Sequence, residues 1–205
     1  MSEENIKNIQ KRAGSIHIIT EIIVVIGTMI FLAALIGCIY LSFASQERFY
    51  AIKDNLDWSI NYKVTNSSSF FIKIPFTAIQ TSENIMFNAK HALLTCFSAL
   101  LIKASFVIYG TKLASDFLNS IANDIPIFMR KNAKRIKRIS YLIIIYSAAA
   151  DILTKVLYSI FITQKFTLDL ADFHLSGVLV GGLILVIADI FEYGVFLQQE
   201  FDAKL

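Results

Sequence analysis

Four ionisable residues, Lys103, Asp151, Lys155 and Asp189, stand inside otherwise apolar stretches of the chain. A carboxylate and an ammonium held away from water can pair, pass a proton or hold an ion. Their cost in hydrocarbon makes each a functional candidate. Asp151 and Lys155 are four residues apart, so on a helix they share a face and can pair locally. Other chemistries lack their parts. His17, His91 and His174 do not cluster, and there is no His-Glu-x-x-His, Cys-x-x-Cys or phosphate-binding glycine loop. Serines are present without a visible base partner. No catalytic residue, metal ligand or cofactor is therefore assigned, and the chain is not read as an enzyme. Cys38 and Cys96 fall in apolar runs and read as small apolar side chains rather than as a disulfide. Leu35-Ile36-Gly37-Cys38 resembles a lipoprotein cleavage box. However, the apolar run continues through Ile39, Tyr40, Leu41 and Phe43, and Glu21 sits in the lead-in, which favours an uncleaved helix.

The elements that must position the four charges read as membrane spans. Of 205 residues, 56 % are hydrophobic and 17 % charged, against a charged share of about 25 % in soluble domains. Four runs, 18–43, 91–110, 139–162 and 175–197, are long and apolar enough to cross a hydrocarbon core about 30 Å thick. Ile22–Phe43 carries no charge at all. At about 1.5 Å per residue, Lys103, Asp151 and Asp189 fall roughly 16–21 Å below the outer ends of their spans, where they are expected to meet at one level. Gly177-x-x-x-Gly181 permits close helix approach, within the bundle or between copies in a homo-oligomer, and Ser147–Ala150 offers a matching small patch.

Between the spans the chain is polar and patterned. Met1–His17, with Ile6, Ile9, Ala13 and Ile16 at helical spacing, predicts a short helix on the membrane surface. In the outer loop 44–90, Arg48–Trp58 predicts one or two interfacial helical turns anchored by Phe49, Tyr50 and Trp58. Ser59–Val64 and Phe70–Phe76 predict a β-hairpin around the turn cluster Asn66–Ser69. In the loop 111–138, Leu113, Phe117, Leu118 and Ile121 predict an amphipathic helix over Lys112–Asn123, ended near Pro126. Thr163–His174 is a short outer loop and Gln198–Leu205 a polar tail.

Orientation follows from the basic residues. Arg130, Lys131, Lys134, Arg135, Lys137 and Arg138 crowd the approach to the third span, as Lys and Arg do on the cytoplasmic side. With both termini inside, eleven basic residues lie on the inner side and six on the outer. The expected molecule is thus a single membrane domain over 1–205, an all-α integral membrane protein with four transmembrane helices, N-in and C-in. An ordered extracytoplasmic loop joins helices 1 and 2. The six basic residues, with Glu192, Glu200 and Asp202, form a surface for the anionic inner leaflet or for a cytoplasmic protein partner. Direct nucleic-acid binding is disfavoured, because the basic run is held against the bilayer with few interleaved aromatics.

Two stretches carry a resemblance. One is the amphipathic segment followed by Ile125-Pro126-Ile127-Phe128, Asn132 and the basic run. The other is Ala188-Asp189-Ile190-Phe191-Glu192-Tyr193-Gly194, continued by Val195-Phe196-Leu197-Gln198-Gln199-Glu200-Phe201-Asp202. Together they resemble the bacterial four-helix membrane proteins catalogued as domain of unknown function 2975, over roughly Leu93–Asp202. The N-terminal half matches in layout alone, and the ending Ala203-Lys204-Leu205 departs from the family pattern. The resemblance implies a bacterial plasma-membrane location and no assigned activity. Because such proteins are often encoded beside a small helix-turn-helix regulator, it also implies regulatory pairing with one. The leading expectation is a membrane-embedded regulatory or interaction protein. The alternative is a small transporter or channel subunit working through Lys103, Asp151, Lys155 and Asp189.

Overall fold

The computed structural model describes residues 3–65, 67–75, 88–123, 129–163 and 174–202. Four helices dominate: α1 Glu3–Phe43, α2 Ala89–Asn123, α3 Arg130–Tyr158 and α4 Leu175–Asp202. A π-helical segment, Ser159–Thr163, follows α3 directly. Each helix is long and apolar enough to cross a membrane. Three strands, β1 Phe49–Lys53, β2 Asp57–Lys63 and β3 Ser69–Pro75, form one antiparallel sheet in the order β1-β2-β3.

The helices run past the predicted borders. The N-terminal segment expected to lie separately on a surface is continuous with the first apolar run in α1. Lys112–Asn123 likewise continues α2, and Arg130–Arg138 opens α3, so most of the expected basic loop is helix. The physical reason is plain. Polarity changes at His17, Thr111 and Arg138, but no proline or glycine cluster there ends the i to i−4 hydrogen-bond ladder. The Pro126 break, Asn66, Phe76, the remainder of the outer loop to 87 and the loop 164–173 lie outside the described residues.

The chain divides into two compact units. One comprises 30–103 and 149–173 and holds the sheet. Here the expected helical turns give way to a short 3-10 turn, Gln46–Arg48, followed by β1. Phe49–Lys53 alternates, so Phe49 and Ala51 face inward while Tyr50 and Ile52 face out, and pairing with β2 satisfies one edge of its backbone. The Asp54 amide donates to the carbonyl of Asp57 at 2.9 Å and closes the β1–β2 hairpin. The inward rows Phe49–Tyr62 and Ala51–Ile60–Ile72 follow from the register. They pack against Leu41, Leu93, Tyr158 and Ile162, with Ile60 and Leu93 fully buried. Lys90 fastens the corner. Its ammonium donates to the carbonyls of Ser42 (2.8 Å) and Ala44 (2.7 Å), groups that the end of α1 leaves without helical partners.

The other unit comprises 1–29, 104–148 and 174–205. Much of its core is small or short side chains: Ala13, Ser115, Ser120, Asn132, Ala133, Ser140 and Ala188 are buried, beside Leu113 and Val195. Small side chains let helix backbones approach closely. A Cβ added to Gly181 would lie 2.6 Å from the Ile144 side chain and 3.2 Å from the Ser140 carbonyl oxygen. One added to Gly177 would lie 2.8 Å from Ser147 Cβ. Gly177 and Gly181 therefore seat α4 on α3, against Ser147, the first residue of the small patch.

Candidate functional site: paired charges and a basic helix face

Lys103 is on α2 and Asp151 on α3, both in the sheet-bearing unit. The Lys103 ammonium donates to Asp151 Oδ1 at 2.6 Å, and each side chain is about one-third exposed. Such a pair cancels its own charge where neither ion would be stable alone. Asp189 lies in the other unit and has a different partner, Lys137 of α3, at 2.8 Å. The same ammonium reaches Glu192 Oε2 at 2.5 Å, so one lysine bridges two carboxylates one helical turn apart on α4. Asp189, and behind it Glu192, hold the Lys137 ammonium well above the usual lysine range. Lys155 lies within α3, near its C-terminal end.

Four further contacts, in the unit that holds Asp189, were not expected from the sequence. Lys112 on α2 donates to Glu21 of α1 at 2.6 Å and lies 3.4 Å from Asp116. Glu21, and less strongly Asp116, raise the Lys112 pKa. The buried Ser115 hydroxyl bonds the His17 ring at 2.9 Å. The buried Ser140 hydroxyl donates to the Gly181 carbonyl at 2.6 Å, a bond that only the close α3–α4 approach permits. A signal for the ionic contacts was present. Glu21, Lys112, Lys137 and Glu192 all stand near the same ends of successive apolar runs, which an up-and-down chain brings together.

The basic run on α3 is divided by helix geometry. Lys137 turns inward to its carboxylates, and Arg135 is half-buried, reaching Asn132 at 3.4 Å. Arg130, Lys131, Lys134 and Arg138 occupy an arc of about 100° at 3.6 residues per turn, and all are exposed. Arg130 also lies 3.8 Å from Glu192, with 71 % of its side chain exposed. Tyr141 and Ile145 continue the stripe and are both exposed. Along one helix face the surface therefore passes from cationic to aromatic to aliphatic. Glu200 lies on α4 near its end, and the side chain of Asp202 lies outside the described residues. Among the described residues, no three His, Cys, Asp or Glu side chains lie together as metal ligands would.

No family model, curated protein or solved structure matches the chain.

Proposed function

We propose that this chain is a four-span integral membrane protein of the bacterial plasma membrane, with both termini in the cytoplasm. It presents the basic face of α3 to an acidic cytoplasmic protein partner. The observation that carries this reading is the stripe Arg130, Lys131, Lys134, Arg138, Tyr141, Ile145. A cationic end, then an aromatic ring, then aliphatic side chains is the order expected of a helix leaving the inner leaflet for water. Exposure supports insertion as well: Ile22, Met29, Ile36, Leu183 and Ile190 are each more than half exposed, a surface suited to lipid rather than water. Lys137 is taken up by Asp189 and Glu192 within the chain. Lys131, Lys134 and Arg138 instead face outward, and Arg130, 3.8 Å from Glu192, keeps 71 % of its side chain exposed, a surface suited to an external acidic partner.

The resemblance of Leu93–Asp202 to the family of domain of unknown function 2975 supports a regulatory role, with a helix-turn-helix regulator as the partner class. The test is purification of the tagged protein from lightly crosslinked membranes, beside the variant Arg130→Glu, Lys131→Glu, Lys134→Glu. A cytoplasmic protein recovered with the native chain and lost with the variant supports docking. Equal recovery with both, while the variant is inserted, refutes it.

A second reading rests on the Lys103–Asp151 pair, which could serve a small transporter or channel by exchanging partners within a span. Ion or proton flux in proteoliposomes that disappears in Lys103→Met would favour it. Flux no greater than in empty vesicles would discard it.

A further inference from the structure

Between α2 and α3 runs an apolar groove of about 360 Å³, lined among others by Phe106, Gly110, Ala114, Ile139, Leu142 and Tyr146. Gly110 makes the floor, because a Cβ there would come within 2.9 Å of the Leu142 side chain. One end is closed by the rings of Phe106 and Tyr146, whose centroids are 6.0 Å apart. From Phe106 to Ala114 the groove extends for eight residues, about 12 Å at the helical rise. The other end points down α3 toward its N-terminus. There Arg135 and Arg138 stand four residues before Ile139 and Leu142, and so one turn below them on the same side of the helix. Helical side chains lean toward the N-terminus, which keeps both guanidinium groups clear of the apolar lining and sets them at the groove's open end, where Arg135 also reaches Asn132 Oδ1 at 3.4 Å. The nearby acids do not compete for them. Glu21 and Asp116 are paired with Lys112, and Asp189 and Glu192 with Lys137.

We propose that this groove and Arg135 and Arg138 form a binding site for one anionic phospholipid of the inner leaflet. An acyl chain lies between α2 and α3, and the phosphate is held by the two arginines. The inference rests on the membrane orientation given above, because only a cytoplasmic N-terminus of α3 sets the arginines at the level of inner-leaflet headgroups. The occupant follows from complementarity. A narrow groove with no charged lining suits a hydrocarbon chain, and planar guanidinium groups at its mouth match phosphate oxygens with paired N–H donors. A zwitterionic lipid would fill the groove equally well, but its own cation would offset the attraction at the mouth.

The test uses the full chain in detergent, titrated with phosphatidylglycerol or phosphatidylcholine and read by native mass spectrometry. One phosphatidylglycerol is expected to be retained in preference to phosphatidylcholine. In Arg135→Gln, Arg138→Gln that preference falls by roughly thirtyfold, the effect of two cationic side chains near an anionic surface. Ala114→Phe, which fills the groove and keeps both arginines, is expected to lose the bound lipid of either kind. Equal retention of the two lipids by the native chain, or unchanged preference in the double arginine variant, would overturn the site. Labelling of Lys134→Cys, in a chain whose Cys38 and Cys96 are alanine, with a membrane-impermeant thiol reagent on intact spheroplasts separates the two failures. A chain labelled only after the membrane is opened, but showing no lipid preference, removes the lipid site alone, whereas labelling from outside removes the orientation on which it rests.

Discussion

Lys137 joins α3 to α4 through two ion pairs, because one ammonium faces both Asp189 and Glu192. Lys137→Gln leaves two carboxylates close together without their shared ammonium, with only the exposed Arg130 still 3.8 Å from Glu192. We expect a lower Tm for this variant, with much of the loss recovered when Glu192→Gln is added, a non-additivity that a double-mutant cycle measures. The sign of its pH dependence is fixed. A lysine raised in the folded state contributes its full stabilisation below the unfolded value, about 10.4. That contribution is lost as pH rises through the raised value. The Tm difference between the native chain and Lys137→Gln should therefore be constant from pH 7 to about 10. A difference that shrinks within that window would show that the ammonium is not held in this way. For Lys103 the expectation is larger. Lys103→Met strands the Asp151 carboxylate and should cost about 2–4 kcal/mol in unfolding measurements. The charge-swapped pair Lys103→Asp, Asp151→Lys should recover part of that loss. Of these contacts, the candidacy of Lys103, Asp151 and Asp189 was legible in the sequence, because a charge in an apolar run stands out. Their partners were not legible, since depth along a span does not say which way a side chain turns. Asp189 and Asp151 fall at similar depths along their spans and take different lysines.

The α3–α4 contact depends on absent side chains more than on the bond that crosses it. Gly181→Leu must displace both Ile144 and the Ser140 backbone, and overpacking of this kind costs about 1–3 kcal/mol or more. Ser140→Ala removes one interhelical hydrogen bond, worth about 0.6 kcal/mol on average in membranes. Unfolding of the two variants in mixed micelles should rank them in that order by a wide margin, and the reverse order would mean that the glycine contact is incidental. The helices themselves were legible as apolar runs, but their ends were not. A change from lipid-like to water-like composition at His17 or Thr111 leaves backbone propensity unchanged, so α1 and α2 continue through it. The pairing partners β2 and β3 announced themselves through β-rich alternation beside a serine-rich turn. β1 did not, because five residues with four aromatic or aliphatic side chains fit an interfacial turn equally well, and only pairing with Ile60 and its neighbours decides between them.

For the molecule as a whole, composition carried most of the information: four apolar runs, little charge and a one-sided distribution of lysine and arginine. What composition left open is the use of the basic residues, and here folding is selective. It consumes Lys112 and Lys137 in bonds between helices and turns Arg130, Lys131, Lys134 and Arg138 outward. Partner docking and the lipid site both require that outward face to be cytoplasmic. Sidedness is therefore the measurement to make, using single cysteines introduced into a chain whose Cys38 and Cys96 have been replaced by alanine. With a membrane-impermeant thiol reagent on intact spheroplasts, Lys53→Cys in the sheet should be labelled at once. Lys134→Cys and Glu200→Cys should be labelled only after the membrane is opened. Labelling of Lys134→Cys from outside, together with or in place of Lys53→Cys, would contradict the proposed topology and with it both uses of the basic face.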